Sequence, residues 1–508
     1  RLGLVGPDDP RYAFIARAML QSGDWITPRL YGQPWFEKPV LYYWAAAAAF
    51  RLFGVTEFAA RLPSALGALL ATLAMAWAAL RAYGRGAATL VILLLSTTIA
   101  AIAFARAATP DMLFGGLLAT AAATAAEILE QPRASRAAQI VFGASLGAAT
   151  LAKGPAAVIL AVGATFLWAL AVRQWRATLR LLHPVALASF FVVALPWYIL
   201  CAVRNPDFFR IFILEHNFAR YLTPIFQHPQ PFWFFGVVIL LALVPWTGFL
   251  IPLAISARRS YAGGTWQDSP ALFFACWAVF PVVFFSFSES KLPGYVLPSV
   301  PPLIFLFAVD AQRYIAGPGG LEPKQATLQT KLWMAANACL LLILPPAAGI
   351  WLRQLPAESG LGNPLAMPRL LALTLGGGVL CISLALAGRP RCALLCEAVL
   401  MTATLLGVNA RVLPQLDPFL SPRVAVREMP ADALHTPGLA VFELDRPWHY
   451  AFNFYLDREL PEWTPAQSQR PAWIWTSAAG AAHMDRLSLK YSVVKRVTSQ
   501  VWLVRAGQ

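Results

Sequence analysis

Ionisable residues cluster in a short polar stretch near the start of the chain, residues 6–58. Asp8 and Arg11 lie three positions apart, and a Glu37-Lys38 pair follows in the second half of the stretch. Carboxylates accept protons from hydroxyl groups, whereas arginine and lysine bind phosphate. The stretch leads directly into apolar sequence, where charge is costly unless it serves a purpose. We therefore predict that it forms the floor of an active site.

The two adjacent aspartates are expected to play different roles. Asp9 directly precedes Pro10, a pattern typical of a helix N-cap followed by proline at the first helical position. Apolar residues then recur with helical spacing and predict an amphipathic helix suited to the membrane interface: Tyr12, Ile15, Ala16, Met19 and Leu20. If Asp9 caps this helix, Asp8 has no structural task. Asp8 is then either a solvated loop residue or a catalytic carboxylate, and we predict catalysis.

Further candidates stand at the ends of apolar segments. Asp111 begins one such segment, where its carboxylate either complements the helix dipole or faces the polar stretch. Lys153 and Lys291 each lie in a turn, and their ammonium groups either bind terminal carbonyls or face the same surface. His216 lies in a short helix predicted within 204–230, and a lone histidine is more often structural than a ligand.

Composition identifies the class of protein. Hydrophobic residues make up 58% and charged residues 13% of the 508 positions, and the mean hydropathy is +0.58. Soluble domains are about 45–50% apolar and about 25% charged, so this is a polytopic membrane protein. The net charge of +15 is spread singly over short loops, which predicts anionic lipid rather than nucleic acid as a partner. The six cysteines lie in or beside apolar segments and predict no disulfide framework.

The apolar segments predict about twelve membrane spans, each near the ~20 residues that cross a bilayer core. They lie near 62–81, 87–105, 110–129, 137–152, 155–172, 181–203, 231–255, 270–287, 293–312, 331–352, 368–388 and 392–410. The chain opens on Arg1 just before the polar stretch, and we expect a further span to precede it in the full protein.

Basic residues mark one side of this predicted topology. They are Arg81, Arg85, Arg133, Arg136, Arg173, Arg176, Arg180, Arg258, Arg259, Arg313, Lys324, Lys331, Arg389 and Arg391. The positive-inside rule makes that side cytoplasmic. All the candidate chemical residues fall on the opposite, outer face.

From residue 411 onward the sequence pattern changes to that of a small α/β domain. Short strands are predicted at Leu439–Leu444, Tyr450–Leu456, Ala472–Thr476, Tyr491–Val497 and Val501–Val504, with a helix at Ala478–Leu489. The predicted division is therefore a membrane domain, 1–410, followed by an outer C-terminal domain, 411–508. The membrane domain carries an outer catalytic loop, 6–58, and an outer helix, 204–230.

Several motifs together resemble a known family. They are Asp8-Asp9-Pro10-Arg11-Tyr12-Ala13, Gly23-Asp24-Trp25, Phe36-Glu37-Lys38-Pro39, Ala59-Ala60-Arg61-Leu62-Pro63, Lys153-Gly154-Pro155, Glu215-His216 and Lys291-Leu292-Pro293. In order and spacing they resemble the bacterial aminoarabinose transferases, within the C-type membrane glycosyltransferases that include the protein O-mannosyltransferases. The likeness covers nearly the whole chain and implies thirteen spans in the full protein. Two positions depart from the pattern: Asp9 stands in place of glutamate, and Val40 in place of a second proline.

The resemblance implies a role for each matching residue. Asp8 corresponds to the catalytic aspartate and Asp111 to the second acidic position. The donor phosphate would be held by Arg11, Lys38 and Lys153, with Lys291 as a further candidate. Glu37 and His216 correspond to a pair that holds zinc, although the residues alone also allow a local Glu37-Lys38 ion pair.

These observations predict a glycosyltransferase that moves a sugar from a polyprenyl-phosphate donor to a lipid or protein acceptor outside the membrane. Transfer of 4-amino-4-deoxy-arabinose to lipid A is one form, and protein O-mannosylation is the alternative within the family. A flippase for lipid-linked sugars is the rival from another class. Transporters carry charged groups on broken helices near the midplane, whereas here they stand at span ends.

Overall fold

The computed structural model describes residues 2–131, 134–222, 229–267, 269–316, 328–352, 368–467, 469–499 and 501–507. Two predicted cytoplasmic positions, Arg133 and Lys324, and part of the predicted outer helix 204–230 lie outside the described residues. Within them, a bundle of long apolar helices is followed by a small α/β domain.

The polar stretch folds into two helices joined by a short hairpin. Helix α1 is Asp8–Ser22, strands β1 and β2 are Arg29–Leu30 and Gln33–Pro34, and helix α2 is Leu41–Phe53. The amphipathic pattern of α1 is largely confirmed: Tyr12, Ile15, Ala16 and Met19 are buried, and the fifth predicted position, Leu20, is partly buried. Gly23 ends α1 in the left-handed conformation, φ 71°, which glycine adopts without a steric penalty.

A series of helices follows up to residue 420. They are α3 Glu57–Tyr83, α4 Arg85–Ser96, α5 Ile99–Ala105, α6 Pro110–Glu130, α7 Arg136–Lys153, α8 Ala156–Val172, α9 Trp175–Thr178, α10 Pro184–Arg204, α11 Arg220–Leu222, α12 Phe234–Ala242, α13 Leu250–Ala262, α14 Ala271–Ser286, α15 Val300–Ala316, α16 Leu328–Leu352, α17 Pro368–Leu386, α18 Pro390–Gly407 and α19 Leu413–Leu420. A wide-turn π-helix, Arg210–Ala219, leads into α11.

Six helices of the described part are long and apolar enough to cross a membrane, or eight if each of two bent pairs counts as one span. Shorter apolar helices are also present, among them α8 and α14. The chain is therefore a multi-pass membrane protein, while the number of twelve spans stays a prediction.

Two predicted spans are broken rather than straight. Segment 87–105 consists of α4 and α5, bent by 59°. Segment 231–255 consists of α12 and part of the arm Trp246–Ala262, which contains α13, and these two are bent by 112°. The two breaks bond to each other: the Ile99 backbone N–H donates to the Val244 carbonyl at 2.8 Å. The Trp246 indole N–H also donates to the Thr97 hydroxyl at 3.1 Å. Free backbone groups at membrane depth need such internal partners, so the breaks depend on each other.

Small residues bring α3 and α6 close together. A Cβ atom added at Gly116 of α6 would lie 2.2 Å from the Gly67 carbonyl oxygen of α3. Helices in membranes pack most closely where glycine lets the backbones approach. This packing fixes the start of α6, which carries Asp111.

The C-terminal domain contains a four-stranded sheet in the order β3-β4-β6-β5. Its elements, with the short helices that precede the sheet, are α20 Arg423–Arg427, α21 Ala431–His435, β3 Leu439–Phe442, α22 Arg446–Leu456, β4 Trp473–Ser477, α23 Ala478–Arg486, β5 Tyr491–Thr498 and β6 Val501–Ala506. Strands β3 and β4 run parallel and the other pairs antiparallel, and the predicted β5-β6 hairpin is confirmed.

The prediction of a strand at Tyr450–Leu456 was wrong, because this segment is the second half of α22. Alternating Phe452, Asn453 and Phe454 resemble a strand pattern, but proline in the first turn favours a helix. The predicted boundary at residue 411 stays a prediction, and helical structure continues across it in a π-turn, Val408–Val412.

Candidate active site

Arg11 lies between two carboxylates at the beginning of α1. Its Nη2 donates to Asp8 Oδ1 at 2.6 Å, and its Nη1 lies 2.7 Å from Glu37 Oε2. Asp8 and Arg11 face the same side of α1 because they are three residues apart. Both ends of the guanidinium are therefore held by carboxylates, and its contact with a donor phosphate stays a prediction.

Asp9 has a different task from the one predicted. The prediction that Asp9 caps α1 was wrong. The helix begins at Asp8, so the N-cap residue is Pro7, and no side chain forms a capping hydrogen bond. Asp9 Oδ1 instead accepts a hydrogen bond from the Ala108 backbone N–H at 2.9 Å, and Oδ2 lies 3.5 Å from Arg61 Nη2. Burial raises the pKa of Asp9 to about 6. Asp9 thus ties α1 to the segment between α5 and α6, which the sequence could not reveal.

Asp8 combines access to solvent with a crowded electrostatic environment. About half of its side chain is exposed (50%). Burial of the site raises the pKa of Asp8, Arg11 opposes this shift, and the Glu37 and Asp111 carboxylates reinforce it. A carboxylate whose pKa is raised is a stronger base, provided that it is still ionised at the working pH.

Lys153 and Asp111 form an ion pair where the ends of α7 and α6 meet. The Lys153 Nζ also lies 5.2 Å from the ring centre of Tyr295 and 5.4 Å from that of Phe114. A Cβ atom added at Gly294 would lie 3.1 Å from Asp111 Oδ1, so a larger residue there would crowd the pair. The predicted turn after Lys153 is present. The Lys153 ammonium points to Asp111, the second acidic position of the family pattern.

A cavity of about 340 Å³ joins the two lysines of the site. Lys38 comes from the polar stretch, between β2 and α2, and Lys153 comes from the end of α7. His216 lines the same cavity. The remaining wall is largely aromatic and aliphatic: Phe114, Pro155, Ala156, Ile159, Tyr221, Leu222, Phe284, Phe285, Ser288 and Tyr295. The arrangement offers two cations to a phosphate and an apolar wall to a hydrocarbon chain.

Lys291 is not among the residues that line this cavity. It is 8% exposed, and its Nζ donates to the Ser288 carbonyl at 2.5 Å. Ser288 itself lines the cavity. Ser288, to which Lys291 donates, therefore lies in the cavity wall, whereas the Lys291 ammonium does not. Binding of phosphate by Lys291 stays a prediction.

Glu37 and His216 alone do not complete a metal site. Glu37 Oε2 contacts Arg11, and Glu37 Oε1 lies 3.9 Å from the Lys38 Nζ. No group of three or more His, Cys, Asp or Glu suited to a metal ion occurs in the described part of the chain. Zinc in proteins takes about four ligands, and Glu37 and His216 supply only two. A zinc ion held by protein side chains alone therefore does not fit here, and zinc stays a prediction.

Aromatic residues of the site were missed by sequence reasoning. Tyr221 and Tyr295 line the cavity, and Tyr450 of α22 lies over Arg11. Tyr450 was assigned to a strand of a separate domain. Only the proline in the first turn of α22 could have indicated a helix, and no sequence pattern indicated that this helix packs on α1.

Comparison with known proteins matches the chain to membrane glycosyltransferases. The family model described as dolichyl-phosphate-mannose-protein mannosyltransferase matches residues 4–212. An undecaprenyl phosphate-alpha-4-amino-4-deoxy-L-arabinose arabinosyl transferase of Edwardsiella ictaluri is 33% identical over 344 residues, 67% of this chain and 61% of the relative. One of Sodalis glossinidius is 35% identical over 317 residues, 62% of this chain and 56% of the relative. The chain thus spans about three fifths of the length of these curated relatives.

Solved structures extend the likeness over the whole fold. The crystal structure of ArnT from Cupriavidus metallidurans bound to undecaprenyl phosphate superposes with a TM-score of 0.80 at 26% identity, covering 99% of this chain and 94% of that one. Its apo structure superposes with a TM-score of 0.79. The protein therefore has the C-type membrane glycosyltransferase fold. It belongs to the aminoarabinose transferase-like glycosyltransferases.

Proposed function

We propose that this protein transfers a sugar from a polyprenyl-phosphate donor to an acceptor at the outer face of a bacterial inner membrane. The meeting of Lys38 and Lys153 at one apolar-walled cavity carries the proposal. A polyprenyl phosphate has the matching chemistry, a charged head on a long hydrocarbon chain. The likeness to a structure that holds undecaprenyl phosphate supports the same ligand class.

In this reaction the bond between the sugar's anomeric carbon and the phosphate oxygen breaks, and the acceptor oxygen forms the new bond. Negative charge develops on the departing phosphate, so Lys38 and Lys153 stabilise the transition state more than the ground state. Asp111 holds the Lys153 ammonium in place through their ion pair.

Asp8 acts on the acceptor side. It takes the proton of a hydroxyl acceptor, or orients the nucleophile if the acceptor oxygen belongs to a phosphate, which has no proton to lose. Arg11, held by both Asp8 and Glu37, fixes the carboxylate that does this work. A single displacement inverts the anomeric configuration.

The names of the relatives support 4-amino-4-deoxy-L-arabinose on undecaprenyl phosphate as the donor, with lipid A as the acceptor. The match of residues 4–212 to protein mannosyltransferases keeps a mannosyl donor and a protein acceptor as the second candidate. Mass spectrometry of envelope lipids and proteins, with and without the gene, separates the two by the mass added and the molecule that carries it.

Basic residues at the other end of the helices support a periplasmic site. Lys153 ends α7 at the site, whereas Arg136 begins the same helix at the opposite surface. The positive-inside rule places the Arg136 end in the cytoplasm. In intact cells, a cysteine at Glu289 should react with an impermeant thiol reagent and one at Ser260 should not. The reverse labelling would invert the orientation.

Release of free polyprenyl phosphate tests the reaction class. Purified protein in proteoliposomes is given a lipid-linked sugar labelled in the sugar, with and without acceptor. We expect labelled acceptor and free polyprenyl phosphate in equal amounts, and far less of both with Asp8→Asn. Movement of intact lipid-linked sugar across the bilayer without release would instead show a flippase.

A further inference from the structure

Two further cavities lie along α7, the helix that carries Lys153, and one of them is at its far end. Helix α7 has 18 residues from Arg136 to Lys153, so its ends are roughly 25 Å apart at 1.5 Å per residue. The basic cavity at the Arg136 end is therefore separate from the proposed transfer site and lies at the opposite membrane surface. The apolar cavity extends from that end along the helices to Val158, near the start of α8. One is basic and the other is apolar.

The basic cavity has a volume of about 560 Å³ and lies among α6, α7 and the start of α10. Arg136, Gln139, Arg180 and His183 line it. Two helix N-termini meet here, because α7 begins at Arg136 and α10 begins directly after His183. Helix N-termini carry partial positive charge and favour anions, as the two arginines do.

The cations of this cavity are not neutralised by neighbouring acids. In the described ranges, Arg136 and Arg180 form no ion pair, and Arg180 donates only to the Leu129 carbonyl at 2.9 Å. The nearby acid Glu127 lies 3.8 Å from Arg81 and lines a different cavity with it. Its Oε1 also accepts from the Ser135 hydroxyl at 3.4 Å, just before the start of α7. Glu127 is thus engaged by Arg81 and Ser135 rather than by the two arginines of the basic cavity.

Gln139 provides an independent sign of a polar ligand. Its side chain is 8% exposed, and among the described residues its Oε1 has no hydrogen-bond partner. A buried amide without a partner costs free energy, on the order of 1–3 kcal/mol. Amide oxygen and nitrogen are exchanged by a simple flip, so the group can donate to an anion or accept from a headgroup hydroxyl.

The apolar cavity continues the basic one along the same helices. It measures about 430 Å³ and is lined by Phe142 and Leu146 of α7, Phe166 of α8 and Phe190 of α10. Phe142 lies one turn after Gln139 on α7, so the polar and apolar linings are contiguous. Val162, in the same lining, is 62% exposed, as expected for a surface that faces lipid.

We propose that the basic and apolar cavities together bind one anionic membrane phospholipid. Its phosphate lies between Arg136 and Arg180 at the two helix N-termini. Its acyl chains lie along the apolar cavity between α7, α8 and α10, which is open to lipid and is called the groove below. A soluble anion would satisfy the arginines but leave the groove unused. A zwitterionic lipid would bring its own cation next to Arg136 and Arg180.

Lipid binding by the full-length purified protein tests the charge. The probe is phosphatidylglycerol, titrated in nanodiscs against phosphatidylcholine and followed by native mass spectrometry. Arg136→Ala combined with Arg180→Ala should weaken phosphatidylglycerol binding about tenfold or more, the scale of a lost charge-assisted contact. Arg176→Ala removes an exposed arginine of the same surface that lines neither cavity, and should change it less than twofold. Equal effects of both changes would overturn the proposal.

The groove is tested separately with Val162→Trp, which fills it from the lipid-facing side. This variant should also weaken phosphatidylglycerol binding severalfold while leaving binding of inorganic phosphate unchanged. If it leaves the lipid unaffected, or if inorganic phosphate binds as tightly as phosphatidylglycerol, the cavity is a simple anion site and the proposal fails. Binding equal for phosphatidylglycerol and phosphatidylcholine would also refute it.

Discussion

Tyr450 of the C-terminal domain lies over Arg11 of the opening helix, with the guanidinium carbon 5.9 Å from the ring centre. Trp35 approaches the same guanidinium to 5.6 Å. Helix α22 is fixed on α1 by Arg17, which donates to the Phe454 carbonyl at 3.0 Å. The C-terminal domain therefore supplies a side chain to the candidate active site.

Tyr450→Ala should lower the turnover of sugar transfer about three- to tenfold, because a cation–π contact of roughly 1 kcal/mol that steadies Arg11 is lost. Donor affinity should stay near that of the wild type, since Tyr450 does not line the donor cavity. Steady-state kinetics with separate kcat and KM measure both effects. Tyr450→Phe keeps the ring and is the matched control; equal losses in the two variants would assign the effect to the hydroxyl instead.

Asp8→Asn should reduce transfer about 10²-fold or more, the scale expected when a general base is lost. Asn keeps the size of the side chain but cannot accept a proton. Asp9→Asn is the neighbouring control, because asparagine can still accept from the Ala108 N–H, and its activity should fall only severalfold. Near-normal transfer by correctly folded Asp8→Asn protein would remove Asp8 from the mechanism.

Glu37→Gln should move the acidic limb of the pH–kcat/KM profile to lower pH. The Glu37 carboxylate raises the pKa of Asp8, so removing that charge lowers it. Asp8 is then ionised, and active as a base, at a more acidic pH. The donor is a phosphodiester that stays ionised over this range and contributes no limb of its own. A limb that shifts upward would show that Asp8 is not the titrating group.

Lys38→Ala should weaken polyprenyl phosphate binding about tenfold, because a charge-assisted contact to the phosphate is lost. Raising the salt concentration should reduce the difference. Lys291→Met is the informative comparison, since Lys291 was predicted to bind phosphate but does not line the cavity. Binding measured by ligand-induced thermal shift should be nearly unchanged in Lys291→Met; a loss equal to that of Lys38→Ala would place the phosphate elsewhere.

Zinc, if Glu37 and His216 hold it, should bind only together with a phosphate ligand. Glu37 already contacts Arg11 and Lys38, so water and substrate phosphate would have to complete the coordination. Metal analysis of tag-free protein should find about one zinc per chain with polyprenyl phosphate present, and none in His216→Ala. Negligible zinc in both would leave His216 as a residue of the cavity wall.

Sequence patterns predicted the straight spans and the ends of the helices because apolar length and turn residues are local signals. The turn after Lys153 is one such case. The same reasoning failed at Asp9, whose partner Ala108 is 99 positions away, and at Tyr450, whose position depends on how α22 docks. It also failed at the two broken spans, because composition alone does not distinguish a bent apolar segment from a straight one.

The reciprocal bonding of the two broken spans constrains how the chain can be assembled during synthesis. Thr97 and its partner Trp246 are 149 positions apart, so the first break enters the membrane long before the second is made. Until then, the Ile99 N–H lacks the Val244 carbonyl. The part matched by the family model, residues 4–212, contains only the first break. Residues 4–212 are therefore not expected to reach their native structure alone. The break between α4 and α5 becomes fully hydrogen-bonded only after Val244 and Trp246 have entered the membrane.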